Sequence, residues 1–248
     1  MIFCHELVPY LDEVLNVSAF KDYGPNGLQV EGKPEIKRIA SGVTASLDLI
    51  EAAIEYQCDA LLVHHGLFWR GQDGRLIGWL AQRVRRLMAH NINLFAYHLP
   101  LDAHDQWGNN AVWGQAMGLQ ADKRFGEQGL GFMAASAETD LPTLLTKLEL
   151  TLGRTPIGVA GDGRPLKRVA WCSGGAQGYF ESAIAAGADV FLTGEISEPQ
   201  AHLARETGVA FVACGHHATE RYGARALGEH LAQHFELTHQ FIDINNPA

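Results

Sequence analysis

The chain is short of cysteine, and the few cysteines it has are scattered. Its 248 residues include only four, and no two have the CxxC spacing of a zinc or redox motif. Two of them fall inside strand-like apolar runs, so we expect buried thiols in a reducing compartment. The four are Cys4, Cys58, Cys172 and Cys214.

Basic charge is also scarce. Lysine and arginine number 19 against 28 aspartates and glutamates, which gives a formal net charge of −9. A general nucleic-acid-binding protein usually presents a basic stripe, so the composition argues against that class. It does not exclude a nucleotide substrate that is held at a local site or by a metal.

Long apolar runs are absent as well. No run approaches the roughly 20 apolar residues of a transmembrane helix. The first residues lack the basic and apolar regions of a signal peptide, so we expect a cytoplasmic protein with no membrane partner. The hydrophobic fraction of 47% and the charged fraction of 19% are globular values, and the length fits one large domain or two of ordinary size.

What the sequence does contain is histidine at the ends of apolar, strand-like runs. In open α/β folds, ligands bind beyond the carboxyl ends of the strands. Imidazole combined with carboxylate suits zinc, iron, manganese or nickel. We therefore predict a metal site assembled from distant parts of the chain. The runs are residues 60–63 before His64 and His65, residues 92–97 before His98, and residues 209–214 before His216 and His217.

Each candidate ligand also has a structural interpretation. His64 and His65 are adjacent, so in a regular strand they point to opposite faces and do not share an ion. At a strand end they can serve two ions, or one ion and a neighbouring contact. His216 and Glu220 are four residues apart and share a face if a helix begins there. Asp102 follows a proline, where an ordinary turn or cap residue is the alternative.

Three further features are weaker candidates. His98 and His217 are predicted to be either metal ligands or hydrogen-bond partners of ligands. Glu195 stands at a predicted strand end and is expected to line the same cleft as a base. Residues 173–178 resemble a phosphate-cradling turn, but they lack the first glycine of GxGxxG and a P-loop lysine. Tight packing is therefore the favoured explanation of these glycines.

An internal repeat divides the chain. Residues 37–65 align without a gap on residues 167–195, at an offset of 130, with eight identities in 29 positions. Both copies read strand, loop, helix, strand, and the alignment sets Glu195 against His65. A repeat of this size predicts two domain-sized halves, residues 1–125 and 126–248.

The order of predicted elements is that of an α/β fold. Apolar strands alternate with helices, which favours mixed but mostly parallel sheets in two related halves. Ser46 is placed to cap the helix that follows it. The polar, glycine-rich residues 121–131 are the best candidate for a linker between the halves.

Six motifs spread along nearly the whole chain belong together. They lie at residues 23–32, 63–66, 98–102, 192–195, 215–220 and 241–244. Together they resemble the NIF-three-like dinuclear-metal family, whose members are often named GTP cyclohydrolase I type 2 homologues. The likeness is greatest to bacterial members linked to tolerance of radiation damage. The family often has proline after the histidine pair, where this chain has Gly66, and that difference affects the expected loop geometry.

The resemblance carries its own implications. It implies a pair of divalent ions, of zinc, iron, manganese or nickel, in the cleft between two related α/β halves. It also implies a ring-shaped homohexamer. The ligands it implies are His64, His65, Asp102, His216 and Glu220.

Two functions stay open at the level of the sequence. The first is a metal-dependent hydrolase that acts on a nucleotide or a related small molecule, with Glu195 and His98 as proton carriers. The second is a non-catalytic protein that binds or delivers metal, or binds a partner, through the same ligands. Nothing in the residues identifies a guanine pocket.

Overall fold

A computed structural model describes residues 1–248, which form two compact units. The first unit comprises Met1–Gly108 and Gly223–Asn245, and the second comprises Asn109–Tyr222 and Asn246–Ala248. This division differs from the boundary between residues 125 and 126 that the repeat predicts. The reason is packing, because residues of the last helix and the strand that follows it join the core and the sheet of the first unit.

The first unit contains seven strands and four helices of its own. The strands are β1 Ile2–Phe3, β2 Gly27–Val30, β3 Glu35–Ile36, β4 Arg38–Thr44, β5 Ala60–His65, β6 Asn93–Ala96 and, late in the chain, β13 Thr238–Phe241. The helices are α1 Cys4–Val14, α2 Leu47–Glu55, α3 Gly78–Ala89 and α4 Leu99–Ala103. The predicted cap of α2 is confirmed, since Ser46 Oγ accepts a hydrogen bond from Leu49 N at 3.2 Å.

Five strands of the first unit form one sheet, in the order β13-β4-β5-β6-β2. The pairs β13–β4, β4–β5 and β5–β6 are parallel, and only the edge strand β2 is antiparallel. Alternate residues of β5 enter different cores: Leu62 packs with α1 and the last helix, whereas Leu61 packs with α2 and α3. Both faces of the sheet are covered, which explains why β5 is apolar without alternation.

The second unit contains six strands and four helices of its own. The strands are β7 Lys123–Phe125, β8 Gly131–Ala135, β9 Ile157–Val159, β10 Arg168–Trp171, β11 Val190–Thr193 and β12 Ala210–Ala213. The helices are α5 Asn109–Ala116, α6 Leu141–Leu152, α7 Phe180–Ala186 and α8 Glu198–Thr207. The boundary between the units falls inside the longest helix, α9 His216–Phe235. None of the helices is suited by length and apolar character to span a lipid bilayer.

The sheet of the second unit is mixed, in the order β7-β8-β10-β11-β12-β9. Its central strands β10, β11 and β12 are parallel, and the outer strands pair antiparallel. The expectation of mixed sheets is confirmed, but parallel pairing dominates only in the first unit. Residues 121–131 are not a linker, because they contain β7 and the buried side chain of Phe125.

The repeated segments form the same substructure in each unit. Asp59 Oδ2 accepts hydrogen bonds from the backbone N–H groups of Lys37 and Arg38, at 2.7 and 2.9 Å. The equivalent Asp189 Oδ2 accepts from residues 167 and 168 at 2.8 and 2.9 Å. The strand registers also match at the offset of 130, with Ile39 opposite Ala60 and Val169 opposite Val190. These shared details support the predicted duplication.

Candidate metal centre

The end of β5 brings two imidazoles together. The ring centroids of His64 and His65 lie 4.6 Å apart, although neighbouring residues of a regular strand point to opposite faces. Ring nitrogens of His64, His65 and His98 all lie within 4.8 Å of one another. The pair lies at a strand end, where the two side chains come close to each other, and not in the middle of a regular strand.

The ring of His64 is fully buried and its tautomer is fixed. Its Nδ1 lies 3.0 Å from the carbonyl oxygen of Tyr97, which only accepts hydrogen bonds, so Nδ1 carries the proton. Its Nε2 is then the basic nitrogen, and it lies 3.5 Å from Oδ1 of Asp102. An imidazole that donates one N–H to a carbonyl and offers its other nitrogen is the usual form of a metal-ligating histidine.

His98 is held in the same way by a residue that the sequence analysis missed. Its Nδ1 donates to Oδ1 of Asp22 at 2.7 Å, and the carboxylate of Asp22 is 3% exposed. Burial disfavours the charged form of Asp22, but hydrogen bonds from His98, Asn26 and Leu99 N outweigh it and lower its pKa to about 2. Asp22 directly precedes the motif of residues 23–32, and nothing in the local pattern pointed to a partner 76 residues away.

Two other residues of this cluster are placed by neighbouring elements. His65 Nδ1 lies 3.0 Å from the hydroxyl of Thr44, the last residue of β4. Asp102 lies in the short helix α4 and is buried, so it is not the ordinary turn residue that its position after a proline offered as the alternative. Pro100 is tolerated there because the first backbone N–H groups of a helix need no helical partner. We call His64, His65, His98 and Asp102 the first ligand set.

The first turn of α9 carries the second ligand set, His216 and Glu220. The predicted shared face is confirmed, since His216 Nε2 and Glu220 Oε1 lie 3.1 Å apart. His216 Nδ1 donates to Glu195 Oε1 at 2.6 Å. Burial lowers the pKa of His216, but hydrogen bonds and charges of Glu220 and Glu195 outweigh it and raise that pKa to about 9.

Glu195 follows β11 and orients His216. Its Oε1 accepts from His216, and its Oε2 accepts from Gln177 Nε2 at 3.1 Å. Its side chain is 45% exposed, so it also reaches solvent. A carboxylate in this position selects the His216 tautomer whose Nε2 serves as a ligand.

The glycines of residues 173–178 bring backbone close to the second ligand set. Gly174 has φ +66°, and a Cβ built on it would collide with the carboxylate of Glu220. A Cβ on Gly175 would lie 3.5 Å from Cε1 of His216. The expectation of tight packing is confirmed for this turn. Gly66 has a similar role, since a side chain there would collide with the Gln29 side chain that accepts from Leu67 N at 2.7 Å.

The donor chemistry of both sets fits divalent transition metals. His64, His98 and His216 each have one ring nitrogen committed to a carbonyl or a carboxylate. Asp102 and Glu220 add buried carboxylates beside imidazole nitrogens. Burying carboxylates is costly unless a positive charge compensates them, and a bound cation supplies that charge. The chain thus contains histidine, aspartate and glutamate groups suited to binding metal.

Comparisons with known proteins give one consistent result. The family model Duf34/NIF3 (NGG1p interacting factor 3) matches residues 2–247. The GTP cyclohydrolase 1 type 2 homolog of Neisseria meningitidis serogroup B is 49% identical over 250 residues, with 100% of both chains covered. The solved structure of protein ybgI, of unknown function, is 43% identical with a TM-score of 0.96 and full coverage of both chains. The structure of TTHA1606 from Thermus thermophilus is 34% identical with a TM-score of 0.92, again over both full chains.

Proposed function

The chain belongs to the Duf34/NIF3 family, and on that basis we propose that it is a dinuclear metal-binding hydrolase. Its proposed substrate is a nucleotide or a related small molecule, in keeping with the cyclohydrolase name of its relatives. The proposed ions are zinc, iron, manganese or nickel. The proposed ligands are His64, His65 and Asp102 of the first set and His216 and Glu220 of the second, whereas His98 of the first set is a proposed proton carrier.

The strongest support for the proposal is the hydrogen bonding of the histidines. His64 and His216, one imidazole from each ligand set, donate Nδ1–H to a fixed acceptor and keep Nε2 as the basic nitrogen. A hydrogen bond of this kind is usual for metal-ligating histidines, because it fixes the ring orientation and raises the basicity of the ligating nitrogen.

The chain's own residues have separate parts in the proposed reaction. A bound divalent ion supplies Lewis acidity, which polarises a phosphoryl or carbonyl oxygen and makes water a stronger nucleophile at neutral pH. His98 is a proposed proton carrier, and the buried carboxylate of Asp22 accepts its Nδ1–H and fixes the orientation of the ring. Glu195 is the second proposed carrier, because its partly exposed carboxylate can exchange protons with solvent.

We expect two divalent ions per chain after purification without chelator. Five ligands exceed what one closed tetrahedral site uses, so a second ion is needed to occupy them. Elemental analysis after reloading with zinc, manganese or iron measures the ratio directly. A ratio of one ion or fewer per chain, under each of these metals, contradicts the dinuclear assignment.

Metal affinity is expected to rise with pH until the pH reaches about 9, the raised pKa of His216. Below that pH the metal-free residue carries a proton on each ring nitrogen, and binding at Nε2 requires the loss of one. His216 alone should therefore contribute about a tenfold gain in affinity per pH unit. Competition titrations with zinc at about pH 6, 7 and 8 measure the slope.

The matched control for this pH dependence is Glu195→Gln. The variant removes one of the two carboxylates that raise the pKa of His216, so fewer protons should be released on metal binding at about pH 8. Calorimetry in buffers of different ionisation enthalpy counts those protons. If the wild-type protein binds zinc with the same affinity at all three pH values, the assignment of His216 as a ligand is contradicted.

A closed assembly of six identical chains is proposed as the form in solution. The proposal rests on the family resemblance, and closed rings follow when one surface of a chain complements another at a fixed rotation. Light scattering is expected to give a particle of about six times the chain mass of 27.1 kDa. A monomer over a wide range of concentrations rules the hexamer out.

A screen for turnover distinguishes the hydrolase from a non-catalytic metal-binding protein. Metal-loaded protein is assayed against phosphoesters, nucleotides and cyclic amides, with Glu220→Gln protein as the blank. Turnover that disappears in the variant supports the hydrolase. A fully loaded protein that turns over none of these classes favours metal storage, metal delivery or partner binding.

A further inference from the structure

Two aromatic side chains of the first unit flank the imidazole of His98. The ring centroid of Tyr23 lies 6.0 Å from that of His98, and the planes are inclined at 64°. The ring of Trp69 lies 5.1 Å from His98 with planes at 89°, and 5.9 Å from His65. Aromatic rings therefore stand beside two of the imidazoles of the first ligand set.

The exposure of Tyr23 calls for an explanation. Its side chain is 64% exposed, although a tyrosine ring contributes most to stability when it is buried. Single exposed aromatic residues are common on protein surfaces, so exposure alone carries little weight. The contacts that hold the backbone of Tyr23 beside Trp69 carry more weight.

The segment of Tyr23 and the segment of Trp69 are joined by close contacts. Arg70 N donates to the carbonyl oxygen of Tyr23 at 2.6 Å, and Arg70 Nη2 donates to the carbonyl oxygen of Asp22 at 2.8 Å. A Cβ on Gly24 would lie 2.5 Å from Phe68 O and 3.3 Å from Trp69 Cε3, so only glycine permits this approach. Asp22 also anchors His98. The backbone segments that carry the two rings are thus held together beside a candidate proton carrier.

We propose that Tyr23 and Trp69 form a stacking platform for the base of a nucleotide, and that Arg70 contacts its phosphate. This inference rests on the proposed function, whose substrate class it narrows to nucleoside phosphates. Stacking on an aromatic ring tolerates any base and contributes on the order of tenfold in affinity. The exposed guanidinium of Arg70 uses one of its five N–H donors on Asp22, and guanidinium donors match phosphate oxygens.

The platform is tested by comparing two probes that differ only in the base. Zinc-loaded protein is titrated with guanosine 5′-monophosphate and, separately, with ribose 5-phosphate, and binding is followed by calorimetry. The base should improve the affinity by about tenfold. Tyr23→Ala should remove most of that gain and leave the affinity for ribose 5-phosphate unchanged, whereas Tyr23→Phe keeps the ring and should keep the gain. Trp69→Leu should act in the same direction as Tyr23→Ala.

Trp79→Ala is the matched control, because Trp79 is another exposed aromatic residue of the same unit, at 55% exposure. It should alter the affinity for neither probe. The platform is overturned if guanosine 5′-monophosphate does not bind, if the two probes bind wild type equally, or if Tyr23→Ala weakens both equally. It is also overturned if Tyr23→Ala changes the particle size in light scattering but leaves the affinity for both probes unchanged. That result assigns Tyr23 to an interface between chains.

Metal content, measured on the same samples, keeps this inference separate from the proposed function. If the protein holds two ions per chain but the base does not improve the affinity, the platform is overturned and the dinuclear proposal stands. Base-dependent binding that requires Tyr23, in protein that holds no metal after reloading, supports the platform and contradicts the dinuclear proposal.

Discussion

Glu220→Gln protein is expected to lose at least one of its two ions and to keep its fold. The Glu220 side chain is 3% exposed, and its Oε1 lies 3.1 Å from His216 Nε2. Glutamine nearly preserves the shape but removes the negative charge that offsets a bound cation. Elemental analysis should show one ion or fewer per chain. The rise in melting temperature on adding zinc should be smaller, because a ligand that binds the folded state less tightly stabilises it less.

Glu229→Gln is the matched control for this experiment. Glu229 lies further along α9, where its carboxylate is 60% exposed and accepts a hydrogen bond from Arg225 Nε at 3.2 Å. This variant should keep two ions and the wild-type response to zinc. If both variants keep two ions at wild-type affinity, Glu220 is not a ligand, and the second ligand set has to be rebuilt around Glu195.

Gly174→Ala is expected to damage the site although it replaces no ligand. The added methyl group would occupy the space of the Glu220 carboxylate, so that carboxylate must move away from His216. The backbone also has φ +66°, and a residue other than glycine in the left-handed region costs about 1–2 kcal/mol. We expect a lower free energy of unfolding by denaturant, and zinc affinity reduced by about 10- to 100-fold, as when a ligand's support is lost.

Gly178→Ala separates the effect of the methyl group from that of its position. A Cβ on Gly178 meets nothing within 4 Å, so this variant should bind zinc as wild type does and unfold at the same denaturant concentration. Equal zinc affinity in the Gly174 and Gly178 variants would show that the carboxylate of Glu220 does not need its observed position.

Much of the fold was predictable because the relevant forces act locally. The alternation of apolar strands with helices predicted an α/β chain, and the Ser46 cap of α2 is found as expected. The repeat predicted equivalent strands, and their registers agree at the offset of 130. The polar residues 121–131 were misleading, since a short edge strand such as β7 needs few apolar side chains and Phe125 alone anchors it in the core.

The sequence by itself determined that His216 and Glu220 share a helical face, because a separation of four residues fixes this wherever a helix forms. It also identified candidate site residues, because each of them lies at the end of an apolar strand or a few residues after it. These are His64, His65, His98, Asp102 and Glu195. Only the tertiary structure decided which nitrogen of each imidazole is available. The partners that decide it, Tyr97 O for His64, Asp22 for His98 and Glu195 for His216, lie 21 to 76 residues away. Hydrogen bonds over such separations form when strands and loops pack against each other, and no local pattern of residues encodes them.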